Sequence, residues 1–146
     1  MQQTILIIDD SKDDILITKR VLSKIRPEIR TEVASSGNAG LTLLRDAGEL
    51  PALILLDLKM PVKDGFEVLQ WLQTHYFAQL VVVALTDSMR VEHIKSALDL
   101  GADLFQVKPR SPREYETMML ALEDHWLSRL PAFAAAERLL SLAGAR

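Results

Sequence analysis

Thr4-Ile5-Leu6-Ile7-Ile8-Asp9-Asp10-Ser11 is the stretch whose reading decides the fold. Its apolar residues do not alternate with polar ones, so both faces of the strand they form should be buried, as in the centre of a parallel sheet. The run stops at an acidic pair. Ser11 then suits the N-cap of a helix whose Asp13 and Asp14 lie at the positive helix end. The same pattern recurs: Leu53-Ile54-Leu55-Leu56 stops at Asp57, and the run closing at Leu85 stops at Thr86-Asp87. Strands are predicted over Thr4–Asp9, Ile29–Ala34, Ala52–Asp57, Gln79–Leu85 and Asp103–Val107. Turn-spaced apolar positions predict helices over Lys12–Lys24, Asn38–Ala47, Gly65–His75, Arg90–Leu100 and Pro112–Arg129. Gly48 and Gly101 follow helical stretches where a left-handed C-terminal residue is expected. Strands alternating with helices give an α/β fold: a doubly wound, five-stranded parallel sheet with five flanking helices and right-handed crossovers.

Composition narrows the function. The chain has 146 residues, 49% hydrophobic and 25% charged, which suits one globular domain with a substantial core. A net charge of −3 supplies no general footprint for neutralising phosphates, so nucleic-acid binding and a DNA-binding effector are not expected. The longest strongly apolar runs, Leu53–Leu56 and Leu80–Leu85, fall short of the roughly 20 residues that span a bilayer. Met1-Gln2-Gln3-Thr4 lacks the basic start of a secretory leader. The absence of cysteine excludes disulfides and thiol chemistry and fits a cytoplasmic protein. From Pro131 onward, Phe133, Ala136, Glu137, Leu140 and Ala143 fall at helical spacing, so 131–146 reads as a short C-terminal helical extension. Such a segment either packs on its own domain or docks a partner.

In an open parallel sheet, chemistry gathers outside the C-terminal strand ends, near the point where strand order reverses. Those ends carry Asp9-Asp10, Asp57, Thr86-Asp87 and Lys108-Pro109. Any single Asp there could simply cap a helix, but complementary chemistry from several strand ends points to a site. Two like charges about 4 Å apart cost on the order of 4 kcal/mol at an effective dielectric near 20, so a cation is needed among the carboxylates. Oxygen donors without His or Cys suit a hard ion, Mg²⁺ or Mn²⁺. With the ion in place, one carboxylate can attack phosphorus while metal and lysine offset the charge on the transferring group. The product is an aspartyl phosphate.

With these residues in view, positions 4–129 resemble the receiver domain of two-component response regulators. The landmarks are Ile7-Ile8-Asp9-Asp10-Ser11, Leu55-Leu56-Asp57-Leu58-Lys59-Met60-Pro61, Asp64-Gly65, Ala84-Leu85-Thr86 and Val107-Lys108-Pro109. The resemblance implies that Asp57 is the phosphoacceptor, taking its phosphoryl group from the phosphohistidine of a sensor histidine kinase. It implies Mg²⁺ held directly by Asp10, Asp57 and the Lys59 backbone carbonyl, and by Asp9 through water. Thr86 and Lys108 would bind phosphoryl oxygens, and Phe105 would be the switch aromatic that follows Thr86. The output would be a population shift in the face formed by the fourth helix, fifth strand and fifth helix, read by a downstream protein target. An isologous homodimer through that face fits the same picture.

Two positions depart from the family pattern. Asp87 stands where a small residue usually leaves a path to the phosphoacceptor, and Lys59 stands two positions after Asp57. Together they are expected to tune the lifetime of the phosphorylated state. Glu123-Asp124-His125-Trp126-Leu127 is similar to the ending of single-domain regulators associated with phytochromes, with His125 in place of the usual phenylalanine. That likeness implies a phytochrome-type kinase and a dimer contact, whereas simple packing of Trp126 on its own helix is the alternative.

The remaining candidates are bland. His75, His93 and His125 have no partner at metal-ligand spacing. Gly37-Asn38-Ala39-Gly40 lacks the spacing and lysine of a phosphate loop. Trp71 reads as packing, and Arg90, Arg110 and Arg113 as a rim of the output face. The rival function is a Mg²⁺-dependent phosphohydrolase working through an aspartyl phosphate, but its Asp-x-Asp-x-Thr run on the first strand is not matched by Asp9-Asp10-Ser11. A receiver-like module that has lost phosphorylation is a third possibility, opposed by the full set Asp9, Asp10, Asp57, Thr86 and Lys108. The chain is therefore read as a stand-alone switch, not an enzyme on other substrates.

Overall fold

The computed structural model describes residues 3–76, 80–87 and 90–128. In chain order the elements are β1 (Thr4–Ile8), α1 (Lys12–Ile25), β2 (Arg30–Ala34), α2 (Gly37–Asp46), β3 (Leu53–Asp57), α3 (Gly65–Tyr76), β4 (Val82–Thr86), α4 (Val91–Asp99), β5 (Leu104–Val107) and α5 (Pro112–Ser128). The five strands form one sheet in the order β2-β1-β3-β4-β5. Every neighbouring pair is parallel, with Ile8 beside Leu56, Asp57 beside Leu85 and Thr86 beside Val107. The chain steps from β1 to β2 on one side and returns to β3 on the other. The order therefore reverses between β1 and β3, and this places a crevice beyond their C-terminal ends.

The unbroken apolar runs are explained by burial on both faces. Even-numbered Leu6, Ile8, Ile54, Leu56, Val82 and Ala84 pack with Leu41 and Leu44 of α2, Val68, Leu69 and Leu72 of α3 and Ala97 of α4. Odd-numbered Ile5, Ile7, Leu53, Leu55, Val83 and Leu85 pack with Val21 and Leu22 of α1 and with Tyr115, Met118, Met119 and Leu122 of α5. A strand's period of two thus serves two separate cores.

Helix ends follow local chemistry. Ser11 caps α1, its Oγ accepting from the Asp14 N–H at 3.2 Å, and Ser36 caps α2 by accepting from Ala39. The Ser36 cap starts α2 at Gly37, one residue before the sequence prediction. Gly101 has φ 98°, with Ala102 N–H on the Ala97 carbonyl and Gly101 N–H on that of Leu98, a Schellman closure of α4. Gly48 does not play that part. The chain leaves α2 through Ala47 at φ −69° and ψ 131°, an extended exit that needs no left-handed residue. β4 includes Thr86, one residue beyond the predicted strand, because Thr86 continues the register beside Val107.

Among the described residues no helix is long and apolar enough to cross a membrane. α5 runs to Ser128, but the side chains of Glu123–Leu127 and the extension 131–146 lie outside the described residues.

Candidate functional site

The C-terminal strand ends bring the carboxylates together. Asp9 and Asp10 follow β1, Asp57 closes β3, and one oxygen from each lies within 4.8 Å of the others. Asp9 and Asp57 are each 4% exposed, whereas Asp10 faces solvent. Two short loops fix their orientation: the Ser11 N–H donates to Asp9 Oδ1 at 2.9 Å, and the Lys59 N–H donates to Asp57 Oδ1 at 3.1 Å. The main chain after Asp57 is pinned as well, with the Leu58 N–H on the Leu85 carbonyl and the Gly65 N–H on the Leu58 carbonyl.

Lys108 brings one positive charge to the cluster. Its backbone N–H donates to the Thr86 carbonyl at 2.8 Å, which ties the lysine to the end of β4. Its Nζ lies 3.1 Å from Asp9 Oδ2, 3.4 Å from Asp57 Oδ2 and 2.6 Å from Asp14 Oδ2. In sequence, Asp14 shows only as a charge suited to a helix end. Its signal was the spacing from Ser11, which puts it one turn into the helix that begins beside Asp9-Asp10.

Electrostatics follow from burial. Burial raises the Asp57 pKa from the usual 3.8 to about 7, helped by the nearby Asp9 charge and opposed by the Lys59 N–H and by Lys108. Burial likewise pushes Asp9 up, against the Ser11 N–H and Lys108. For Lys108, burial works downward, but the bond to Asp14 and the charges of Asp9 and Asp57 outweigh it and the net movement is upward. Lys108 is therefore a fixed positive charge, while the carboxylates beside it are short of compensation. The donor set is entirely oxygen, partly open to water through Asp10, and suits a hard divalent cation.

Beside the carboxylates, a cleft of about 520 Å³ is lined by Lys59, Asp64, Phe66, Thr86, Asp87, Arg90 and His93, among others. Thr86 is 4% exposed, whereas Asp87 and Lys59 are exposed and make no ion pair with one another. Phe105 is half-buried on β5 and packs against the core on the α4 side. The structure thus gathers Asp9, Asp10, Asp57, Thr86 and Lys108 at one sheet edge, with Lys59 and Asp87 at the mouth. His75 stacks on Trp71, with ring centroids 4.1 Å apart, and Trp71 packs against the core from α3. His93 lies against Phe66. Among the described residues, the group of acidic or His side chains with metal-ligand geometry is Asp9, Asp10 and Asp57.

Comparison with known proteins agrees with this geometry. The family model of the response regulator receiver domain matches residues 5–120. Response regulator Rcp1 of Synechocystis sp. is 30% identical over 139 residues, covering 91% of this chain and 95% of that protein. The probable transcriptional regulator ycf27 of Porphyra purpurea is 35% identical over 115 residues; the match covers 79% of this chain but only 45% of that protein. The phosphorylated cyanobacterial phytochrome response regulator RcpA has a TM-score of 0.81 at 27% identity, covering 90% of this chain and 100% of that one. The Mn²⁺-bound form of Rcp1 has a TM-score of 0.77 at 30% identity, covering 89% and 99%. A parallel sheet in this order, an acidic crevice at its switch point, and a family match over most of the chain lead to one conclusion: the chain belongs to the response regulator receiver domains of two-component signalling.

Proposed function

We propose that this chain is a phosphorylation-activated switch that accepts a phosphoryl group on Asp57 from the phosphohistidine of a sensor histidine kinase. The observation that carries the reading is a buried Asp57 carboxylate set between an acidic pair and the Lys108 ammonium. An Asp57 carboxylate oxygen attacks phosphorus in line with the departing imidazole; the P–O bond forms, the P–N bond breaks, and the electron pair returns to the kinase histidine. Asp10, Asp57, the Lys59 carbonyl and, through water, Asp9 would hold Mg²⁺. The ion supplies charge neutralisation for the transferring group. That Rcp1 has an Mn²⁺-bound form supports a divalent site of this kind.

Thr86 and Lys108 bind the phosphoryl oxygens, and Phe105 follows Thr86 inward. The new charge of about −1.5 to −2 then biases the α4-β5-α5 face toward its binding conformation for a downstream protein or a second copy. The likeness to the phytochrome response regulator RcpA supports a phytochrome-type kinase as the donor. We place the exchange in the cytoplasm, in keeping with a chain that has no cysteine. The phosphohydrolase alternative draws no support from the family match, and turnover here is limited to the chain's own phosphorylation and dephosphorylation. The proposed receiver domain spans 4–129 and leaves 131–146 outside it.

The test is incubation with acetyl phosphate and Mg²⁺, followed by intact mass. The wild type is expected to gain one phosphoryl group, and Asp57→Asn or chelator to abolish it; a wild type that stays unmodified while binding Mg²⁺ would sink the reading. Lys59 and Asp87 tune the lifetime from the cleft mouth, so Asp87→Ala and Lys59→Ala should each change the decay of the adduct several-fold, since about 1 kcal/mol of barrier is a factor near five. Unchanged decay in both variants would remove them from the mechanism.

A further inference from the structure

Lys108 is held by a carboxylate outside the acidic triad. Asp14 stands at the third position of α1, where the side chain of a capping box turns back to the N-cap N–H. Here that N–H, belonging to Ser11, is already taken by Asp9 Oδ1 at 2.9 Å. The Asp14 carboxylate is thereby released from capping, and its Oδ2 sits 2.6 Å from Lys108 Nζ. The helix fixes its base, with the Asp14 N–H on Ser11 Oγ at 3.2 Å and its carbonyl accepting from Thr18 Oγ1 at 2.7 Å. The Lys108 side chain is only 9% exposed, so water competes little for its three N–H groups. Those groups are shared among Asp14 at 2.6 Å, Asp9 at 3.1 Å and Asp57 at 3.4 Å. The longest of the three contacts is the one to Asp57.

We propose that Asp14 is a positioning residue for Lys108, drawing its ammonium off Asp57 so that the carboxylate cluster stays open to a divalent cation. Without Asp14, the freed N–H turns to the remaining anions, Asp9 and Asp57, and a monovalent cation then opposes the divalent one at its own ligands. With Asp14 in place, Lys108 is kept within reach of Asp57 but is not spent on it. The inference rests on the divalent-metal part of the function proposed above and is independent of phosphoryl transfer.

The experiment is a double-mutant cycle on the full chain, read by calorimetric titration with Mg²⁺. Asp14→Asn is expected to weaken Mg²⁺ about 3–10-fold in the wild-type background. In the Lys108→Ala background the same change should alter affinity by less than about twofold, because no ammonium remains to be redirected. Asp14→Ser repeats the measurement with a different uncharged side chain. An unchanged affinity in Asp14→Asn, with or without a loss of thermal stability, would leave Asp14 a mere helix-end charge and overturn the proposal. So would an equal weakening in both backgrounds, which means that Asp14 acts by its own charge and not through Lys108. A wild type that binds Mg²⁺ but is never phosphorylated breaks the switch reading alone, and the cycle still decides the role of Asp14. A wild type that binds no Mg²⁺ overturns both.

Discussion

Asp57 carries two demands that conflict in the absence of a metal. As the proposed phosphoacceptor it must be enclosed to keep water from the phosphoryl group, and it must be ionised to attack phosphorus. Enclosure raises its pKa to about 7 from 3.8 in the metal-free protein. A carboxyl whose folded value lies above its unfolded value stabilises the fold at low pH and loses that contribution as pH rises through the folded value. In chelator, wild-type stability should therefore fall between about pH 4 and pH 7 relative to Asp57→Asn. The variant should match the wild type near pH 4 and exceed it by on the order of 1–3 kcal/mol above pH 7. Urea unfolding at several pH values measures the difference; a gap of constant size would show that burial does not govern Asp57. A divalent metal bound there would relieve the conflict, since a cation at an ionised carboxylate favours the charged form.

The element that sets Asp57 in place is the loop from β3 to α3. Gly65 is buried, and a Cβ there would meet the Leu58 Cα at 2.5 Å and the Asp57 carbonyl oxygen at 2.6 Å. Both obstacles are backbone, which cannot rotate aside. Gly65→Ala is expected to cost about 1–3 kcal/mol by forcing the main chains apart. The displaced segment is the one that orients Asp57, so phosphorylation by acetyl phosphate should also slow at least several-fold. Equilibrium unfolding and intact-mass kinetics on the same preparation check both effects. In the same loop Val62 takes φ 67° while 94% exposed. A β-branched residue in that region is strained, and no packing contact offsets it. The loop holds this shape through its anchors, the Leu58 carbonyl on the Gly65 N–H and Asp64 Oδ1 on the Glu67 N–H.

At the scale of the molecule, a rigid sheet carries an electrostatically unbalanced edge. Strands β1, β3 and β4 are sealed on both faces, and α1 and α5 are joined at their outer edge by the Lys24–Glu116 pair at 3.0 Å. That surface pair is worth only about 0.2–1 kcal/mol. The acidic edge matters more, because a ligand that binds only the folded chain stabilises it by mass action. Mg²⁺ at a hundred times its Kd should add about 2.7 kcal/mol, seen as a rise in Tm. Asp10→Asn removes a solvent-facing member of the cluster without opening a core, so it should fold but lose most of that rise. An equal rise in the variant would place the bound metal elsewhere.

Much of the architecture was legible because composition and burial are linked locally. Ile5–Ile8 and Leu53–Leu56 had to be strands covered twice, and Asp9, Asp10, Asp57, Thr86 and Lys108 had to emerge where such runs stop. Ser11 and Gly101 were readable as caps because capping depends on a few neighbouring residues. Gly48 misled for the same reason: a glycine permits a left-handed exit, but only the path taken after Ala47 decides whether one is used. Asp14 was legible as a helix-end charge and no more, because its partner Lys108 is remote in sequence and meets it only when β5 lies beside β4 and α1 packs on α5. The sequence by itself determined the α/β layering and which residues stand at the strand ends, both set by short-range pattern. Only the tertiary structure decided the strand order, the sharing of one ammonium among Asp14, Asp9 and Asp57, and the elevated pKa of Asp57, because these depend on distance and exclusion of water, which belong to the packed molecule.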